Sequence, residues 1–133
     1  MSQLDPVAPA SCNLAGPGLR AFFSIAVNWQ LNVEEQMKLL GVTSRLTLQR
    51  WNGRAMRHEA LALHRDTLER ISYVLGIYKA INTLVPIPER ADAWMRAANS
   101  GGIFHGQSAV DRMTSGNIGD LYAVRHYLDA QCG

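Results

Sequence analysis

The sequence predicts an all-α protein, and three observations carry that prediction. Apolar residues recur at three- and four-residue steps, most clearly at Leu68, Ile71, Val74, Leu75, Tyr78 and Ile81, which is the stripe of an amphipathic helix. Cap signals punctuate the pattern: Asn32 with Glu35, Ser108 with Asp111, and glycines 41 and 116 where helices should end. Hydrophobicity nowhere alternates with period two for long enough to build a strand. With 133 residues, 47% of them hydrophobic, the chain can bury a core without staples.

Residues 1–18 hold Pro6, Pro9, Gly16, Pro17 and Gly18 with little periodicity, and are expected to form a disordered arm. A first helix is expected from about Leu19 to Gln30. Asn32 and Glu35 then make a capping box for a helix carrying Val33, Met37 and Leu40 on one face and ending at Gly41. A short helix with Leu46, Leu48 and Trp51 should follow, ending near Gly53. Beyond it, "RAMRHEALALHRD" is weak and broken. The strong stripe starts near Arg65 and stops before Pro86. Pro88 suits the first position of the next helix, which carries Ala91, Trp94 and Met95. A loop opens at Asn99, Ser100, Gly101 and Gly102, carries Ile103 and Phe104 outward, and closes at Gly106. Ser108 and Asp111 restart a helix that Gly116 ends. Asn117 and Asp120 repeat the capping pattern before a last helix bearing Ile118, Leu121, Val124 and Leu128. The expected organisation is an arm (1–18), a helical region containing a helix-turn-helix (19–86) and a C-terminal helical region (87–133).

Two features narrow the function. "VEEQMKLLGVTSRLTLQRW", Val33 to Trp51, has the form of a helix-turn-helix: a short amphipathic helix, Gly41, an apolar Val42 in the turn, then a second helix; taken alone, the same pattern also fits a plain helical hairpin with its arginines solvated on the outer face. In such a unit the second helix lies in the major groove and its N-terminal residues meet base edges. No acidic residue falls between Gly41 and His58, while Arg45, Arg50, Arg54 and Arg57 do. Arg45, Arg50 and Arg54 are thus expected at phosphates, and Thr47 and Gln49 at bases. The turn is one residue longer than the spacing "LGVSxxTLxRW", which rotates the second helix. The charge is uneven: residues 1–87 hold nine basic and six acidic side chains, residues 88–133 four and five. The first part can face an anion; the second cannot do so on charge alone. The second feature is the loop around Phe104, an aromatic between glycines: it is a candidate anchor for a partner protein, and the alternative is that Ile103 and Phe104 fold back onto the chain's own core.

Catalytic and metal chemistry find no support. His58, His64, His105 and His126 do not pair with each other or with cysteine at metal-ligand spacing. No nucleophile elbow, paired-acid pattern or phosphate loop is present. The expectation is a protein that is not an enzyme, has no cofactor and assigns no residue to catalysis. Without a secretory leader or a membrane-length apolar run, a cytoplasmic location with Cys12 and Cys132 reduced is expected.

The segment "IPERADAWMRAANSGGIFHGQSAVDRMTSGNIGDLYAVRHYL" resembles the C-terminal toxin-binding domain of the Xre/MbcA/ParS antitoxins. Their usual form is a Pro before a helix, "WLRxPN", a short loop, "GxSPxxLL", a glycine and a final helix. Pro88, Trp94, Arg96, Asn99, Gly106, Ser108, Met113 and Gly116 match it, while Ala98 and Ala109 stand where the family has proline. The preceding "NVEEQMKLLGVTSRLTLQRWN" and the long helix before Pro86 fit the family's Xre-like part. The resemblance implies an antitoxin that neutralises a RES-domain, NAD-consuming toxin by occluding its active site and represses its own operon by binding operator DNA. It implies toxin contact through Trp94, Arg96, Asn99, Phe104, Gly106 and Ser108, in an oligomeric complex. The alternative on the same residues is a free-standing helix-turn-helix regulator without a toxin partner.

Overall fold

The computed structural model describes residues 7–133, with side chains from residue 15 onward. Seven helices follow one another among these residues: α1 (Val7–Asn28), α2 (Val33–Leu40), α3 (Arg45–Met56), α4 (Arg65–Leu84), α5 (Pro88–Arg96), α6 (Ala109–Met113) and α7 (Ile118–Cys132). No described residue is in a strand, and no described helix is long and apolar enough to cross a membrane.

The first helix corrects the expected arm. Residues 7–18 are helical and continuous with α1. Ala15 and Leu19 are fully buried, whereas Pro17 faces out. Proline in a helix costs one hydrogen bond and crowds the preceding turn, but the apolar face on both sides of Pro17 has a core to enter. Residues 1–6, and the side chain of Cys12, lie outside the described residues. Cys132 Sγ stands 3.7 Å from the Ala80 carbonyl oxygen.

The caps read from the sequence mostly form. Asn32 and Glu35 exchange both hydrogen bonds of a capping box, at 2.8 and 2.9 Å. Ser108 and Asp111 do the same for α6, at 3.0 and 3.2 Å. Gly41 adopts φ +74° and ends α2. Two expectations fail. Helix α3 runs through Gly53 to Met56, because His58 supplies the left-handed turn (φ +57°) and Arg20 Nη1 donates to the Ala55 carbonyl at 3.0 Å. The Asn117 side chain does not cap α7; Asp120 instead binds Arg112 at 2.7 Å and the Ser115 hydroxyl.

A single core runs through all of this. Helix α4 packs on α1, α2, α5 and α7, with its heaviest contact on α7. Val74, Ile77 and Ile81 of α4, Phe22 of α1 and Trp29 just after it, and Leu121, Val124 and Leu128 of α7 are all buried in one cluster. The two regions read from the sequence therefore share their interior.

Candidate functional site

The helix-turn-helix is built as the sequence suggests. Helix α3 packs on α1 and α2 through Leu48 and Ala55, with Trp51 half-buried. Ser44 caps it by accepting the Thr47 N–H at 3.3 Å, so the longer turn is absorbed before the helix begins. Its outward face carries Leu46, Gln49, Arg50, Gly53 and Arg57 around a shallow depression. Leu46 is 70% exposed. It lies two positions from the buried Leu48, on a different side of the helix.

The predicted DNA contacts do not all stand free. Arg45 is ion-paired with Glu34 of α2. Arg54 donates to the Ala60 carbonyl at 3.3 Å and lies 4.0 Å from Glu59, which also pairs with Arg57 at 2.7 Å. The acid-free run of sequence is thus met by acids from either side of it. Thr47 is half-buried in the first turn. Gln49 and Arg50 are exposed, and among the described residues Arg50 makes no ion pair. The pair Gln49–Arg50, flanked by Leu46, is what α3 presents.

In the C-terminal region the structure corrects the role of Phe104. The ring is 1% exposed. It meets Trp94 edge-on at 5.8 Å between centroids and Tyr127 at 5.2 Å. An edge-to-face pair of this kind adds about 0.5–1.5 kcal/mol beyond area burial. The loop turns its aromatic inward, against Gly101, and leaves Gly102 and Gly106 outward. Asn99 N–H donates to the Gln107 carbonyl at 3.0 Å, and Gly106 N–H to the Asn99 carbonyl at 2.9 Å, closing the loop at its neck. The Asn99 side chain accepts the Gly101 N–H at 2.7 Å. Gly106 sits at φ +83°, following His105 at +50°, a conformation that L side chains resist. Arg112 donates to the Ile103 carbonyl and ties the loop to α6.

The other motif residues also have internal tasks. Arg96 donates from Nε to the Trp29 carbonyl at 2.9 Å and from Nη2 to the Gln30 carbonyl at 2.6 Å, and forms a forked pair with Glu35 at 2.7 and 2.9 Å. It satisfies two carbonyls of the turn that follows α1 and joins them to the capping box of α2. The hydrogen bond from Arg96 is the main reason that the Glu35 carboxyl is held below the usual carboxylate range. Ser108 is buried as the α6 cap. Trp94 is half-buried against Phe104. Of the six residues expected at the toxin, four shape the loop and its exit, one clamps two helices together and one lies in the core. The surface they leave outward is Ser100, Gly102, His105, Gly106 and Gln107.

Arg70 was missed in the sequence. The residue is 9% exposed, and its guanidinium donates to the Lys38 carbonyl at 3.1 Å and the Gly116 carbonyl at 3.2 Å and pairs with Asp66 at 3.0 Å. It joins the end of α2 to the turn before α7. The signal was present: positions 70, 74, 77 and 81 form one buried row of α4, and a charge in such a row needs a partner.

Comparison with known families meets the same two regions. Residues 13–76 match the model of the antitoxin Xre-like helix-turn-helix domain. Residues 82–133 match the antitoxin Xre/MbcA/ParS C-terminal toxin-binding domain. The chain belongs to the Xre/MbcA/ParS antitoxins. It is therefore a toxin-binding antitoxin with a helix-turn-helix, and one half of a toxin–antitoxin system. An uncharacterized protein y4oB of Sinorhizobium fredii is 43% identical to this antitoxin over 127 residues, covering 95% of this chain and 93% of the relative. No solved structure matches the antitoxin.

Proposed function

We propose that this antitoxin neutralises a RES-domain, NAD-consuming toxin by covering its active site, and that it represses its own operon through α3. The observation that carries the reading is the pairing of two matched regions on one core: a helix-turn-helix (13–76) and a toxin-binding region (82–133). The toxin meets the outward rim of the closed loop, Ser100, Gly102, His105 and Gln107, rather than the Phe104 ring. Trp94, Asn99, Gly106 and Ser108 act by fixing the shape of that rim. Operator DNA is read by Gln49 and Arg50, with Leu46 against thymine methyls, and the working unit is a complex of antitoxin and toxin in the cytoplasm.

Co-expression with the protein encoded by the adjacent reading frame, followed by size-exclusion chromatography, tests this reading. A stable complex whose NAD-consuming activity reappears when the antitoxin is removed is the expected result. An adjacent protein that neither binds this chain nor acts on NAD rules out the RES assignment, and a chain that binds operator DNA with no toxin partner would be a free-standing regulator.

A further inference from the structure

A cleft of about 500 Å³ lies between the last turn of α1 and the outer face of α5. Trp29 and Gln30 form one wall; Glu89, Asp92, Ala93 and Arg96 form the other. Its charges are unbalanced. The Arg96 guanidinium is already paired with Glu35 and bound to two carbonyls. Among the described residues neither Glu89 nor Asp92 forms an ion pair. Two buried polar atoms stand without a partner, and both belong to residues of this cleft: Trp29 Nε1 and Asp92 Oδ1. Trp29 is 1% exposed, so its indole N–H cannot turn to bulk water. Buried polar atoms are nearly always paired, and an exception calls for an explanation. Burial, and then the charge of Glu89, push the Asp92 carboxyl above its ordinary range. Such a carboxylate lacks a cation.

We propose that this cleft receives a basic segment of the toxin, a lysine or arginine whose cationic head lies between Asp92 and Glu89 while a main-chain carbonyl of the same segment accepts from Trp29 Nε1. Ala93 and Ala97 are exposed and small, a floor along which an aliphatic stem can lie. The demand is two-sided, for a donor at Asp92 and an acceptor at Trp29, and a peptide carrying a basic side chain supplies both. Helix α5 falls within the region matched as toxin-binding, so the inference rests on the toxin-binding reading and adds a second contact away from the loop rim.

The proposal makes affinity and stability move in opposite senses. A half-buried carboxylate with an unpartnered Oδ1 burdens the free chain and serves only the complex, a trade-off found at binding sites. Asp92→Asn combined with Glu89→Gln should therefore weaken binding to the protein from the adjacent reading frame about tenfold or more, and flatten its salt dependence. The melting temperature of the free chain should hold or rise in the single variant Asp92→Asn, since Glu89 also stabilises the first turn of α5. The indole N–H resonance of Trp29 should also shift on complex formation in the parent chain. A dissociation constant within twofold of the parent overturns the proposal while leaving the toxin reading intact. So does a parallel fall in affinity and melting temperature in Asp92→Asn alone, which would assign that carboxylate to the fold. A parent chain that binds no toxin removes the toxin reading and this inference together.

Discussion

Phe104 and Arg96 show how much a motif residue can do without touching a partner. Phe104 fills the space between Trp94 and Tyr127, so Phe104→Ala leaves a cavity in a close-packed site. The expected loss is roughly 3–5 kcal/mol of stability, or a drop of roughly 10 °C or more in melting temperature by calorimetry. A melting temperature near that of the parent would show that the ring is not held as described. Glu35 gives the pH counterpart. Its folded carboxyl is held low, first by the hydrogen bond from Arg96. A depressed pKa contributes stability that is fully present above the unfolded value, about 4.3 for a glutamate, and is lost as pH falls through the folded one. Glu35→Gln keeps a capping-box partner for Asn32 but removes the charge. The variant should be less stable than the parent at pH 7, and the difference should shrink as acid titrations pass below about pH 4. A gap that stays constant down to pH 2 would contradict the pairing.

Among the elements, α2 and α3 carry the clearest tests. Gly41 ends α2 at φ +74°, and a Cβ there would lie 2.7 Å from Arg70 Nε. An L residue in the left-handed region costs about 1–2 kcal/mol, and here it would also press on the guanidinium that joins α2 to the turn before α7. Gly41→Ala should lower stability by at least that amount in denaturant titration, and equal stability would mean that Arg70 moves aside freely. On α3, Arg50 is the exposed arginine that no acid engages among the described residues, whereas Arg54 is already bound to Ala60 and Glu59. Arg50→Ala should reduce the salt slope of operator binding by about 0.9, the increment of one released counterion, and Arg54→Ala by less. Equal effects of the two variants would mean that Glu59 releases Arg54 on DNA. Helix ends taught a related lesson. Gly53 reads as a stop in sequence, but a glycine within a helix is only mildly unfavourable, and the tertiary bond from Arg20 decides that α3 continues.

For the molecule as a whole, the two matched regions do not behave as separable modules. Helix α7 covers α4 along its length, and Arg96 and Arg70 each cross from one region to the other. Removing residues from Pro88 onward would expose Val74, Ile77 and Ile81, which belong to the shared core. A chain of residues 1–87 should thus lose cooperative unfolding and rapid-exchange protection in α4, checked by circular dichroism and hydrogen exchange. Loss of neutralisation in that truncation would therefore say nothing about direct contacts, and surface variants at the loop rim and in the α5 cleft are the informative ones. A folded, cooperative 1–87 fragment would instead mark α7 as an appendage.

Local chemistry in the sequence was sufficient for the helices, their order and most of their caps. Periodicity at Leu68, Ile71 and Val74, the Asn32–Glu35 and Ser108–Asp111 boxes and the Gly41 stop each act within a turn or two of chain, so neighbours alone determine them. The ordered series from Trp94 to Gly116 was also legible, because it encodes the loop's neck and its glycine turns. Direction and partnership were not. Whether Phe104 faces water or Tyr127, whether Arg96 is free or clamped to Trp29, Gln30 and Glu35, and whether Pro17 ends a helix or rides on its outer face depend on residues 23 or more positions away, or on a core assembled from the whole chain. Burial is a property of the packed assembly. A local pattern states which side chains can leave water, and only the tertiary structure states which of them find a neighbour when they do.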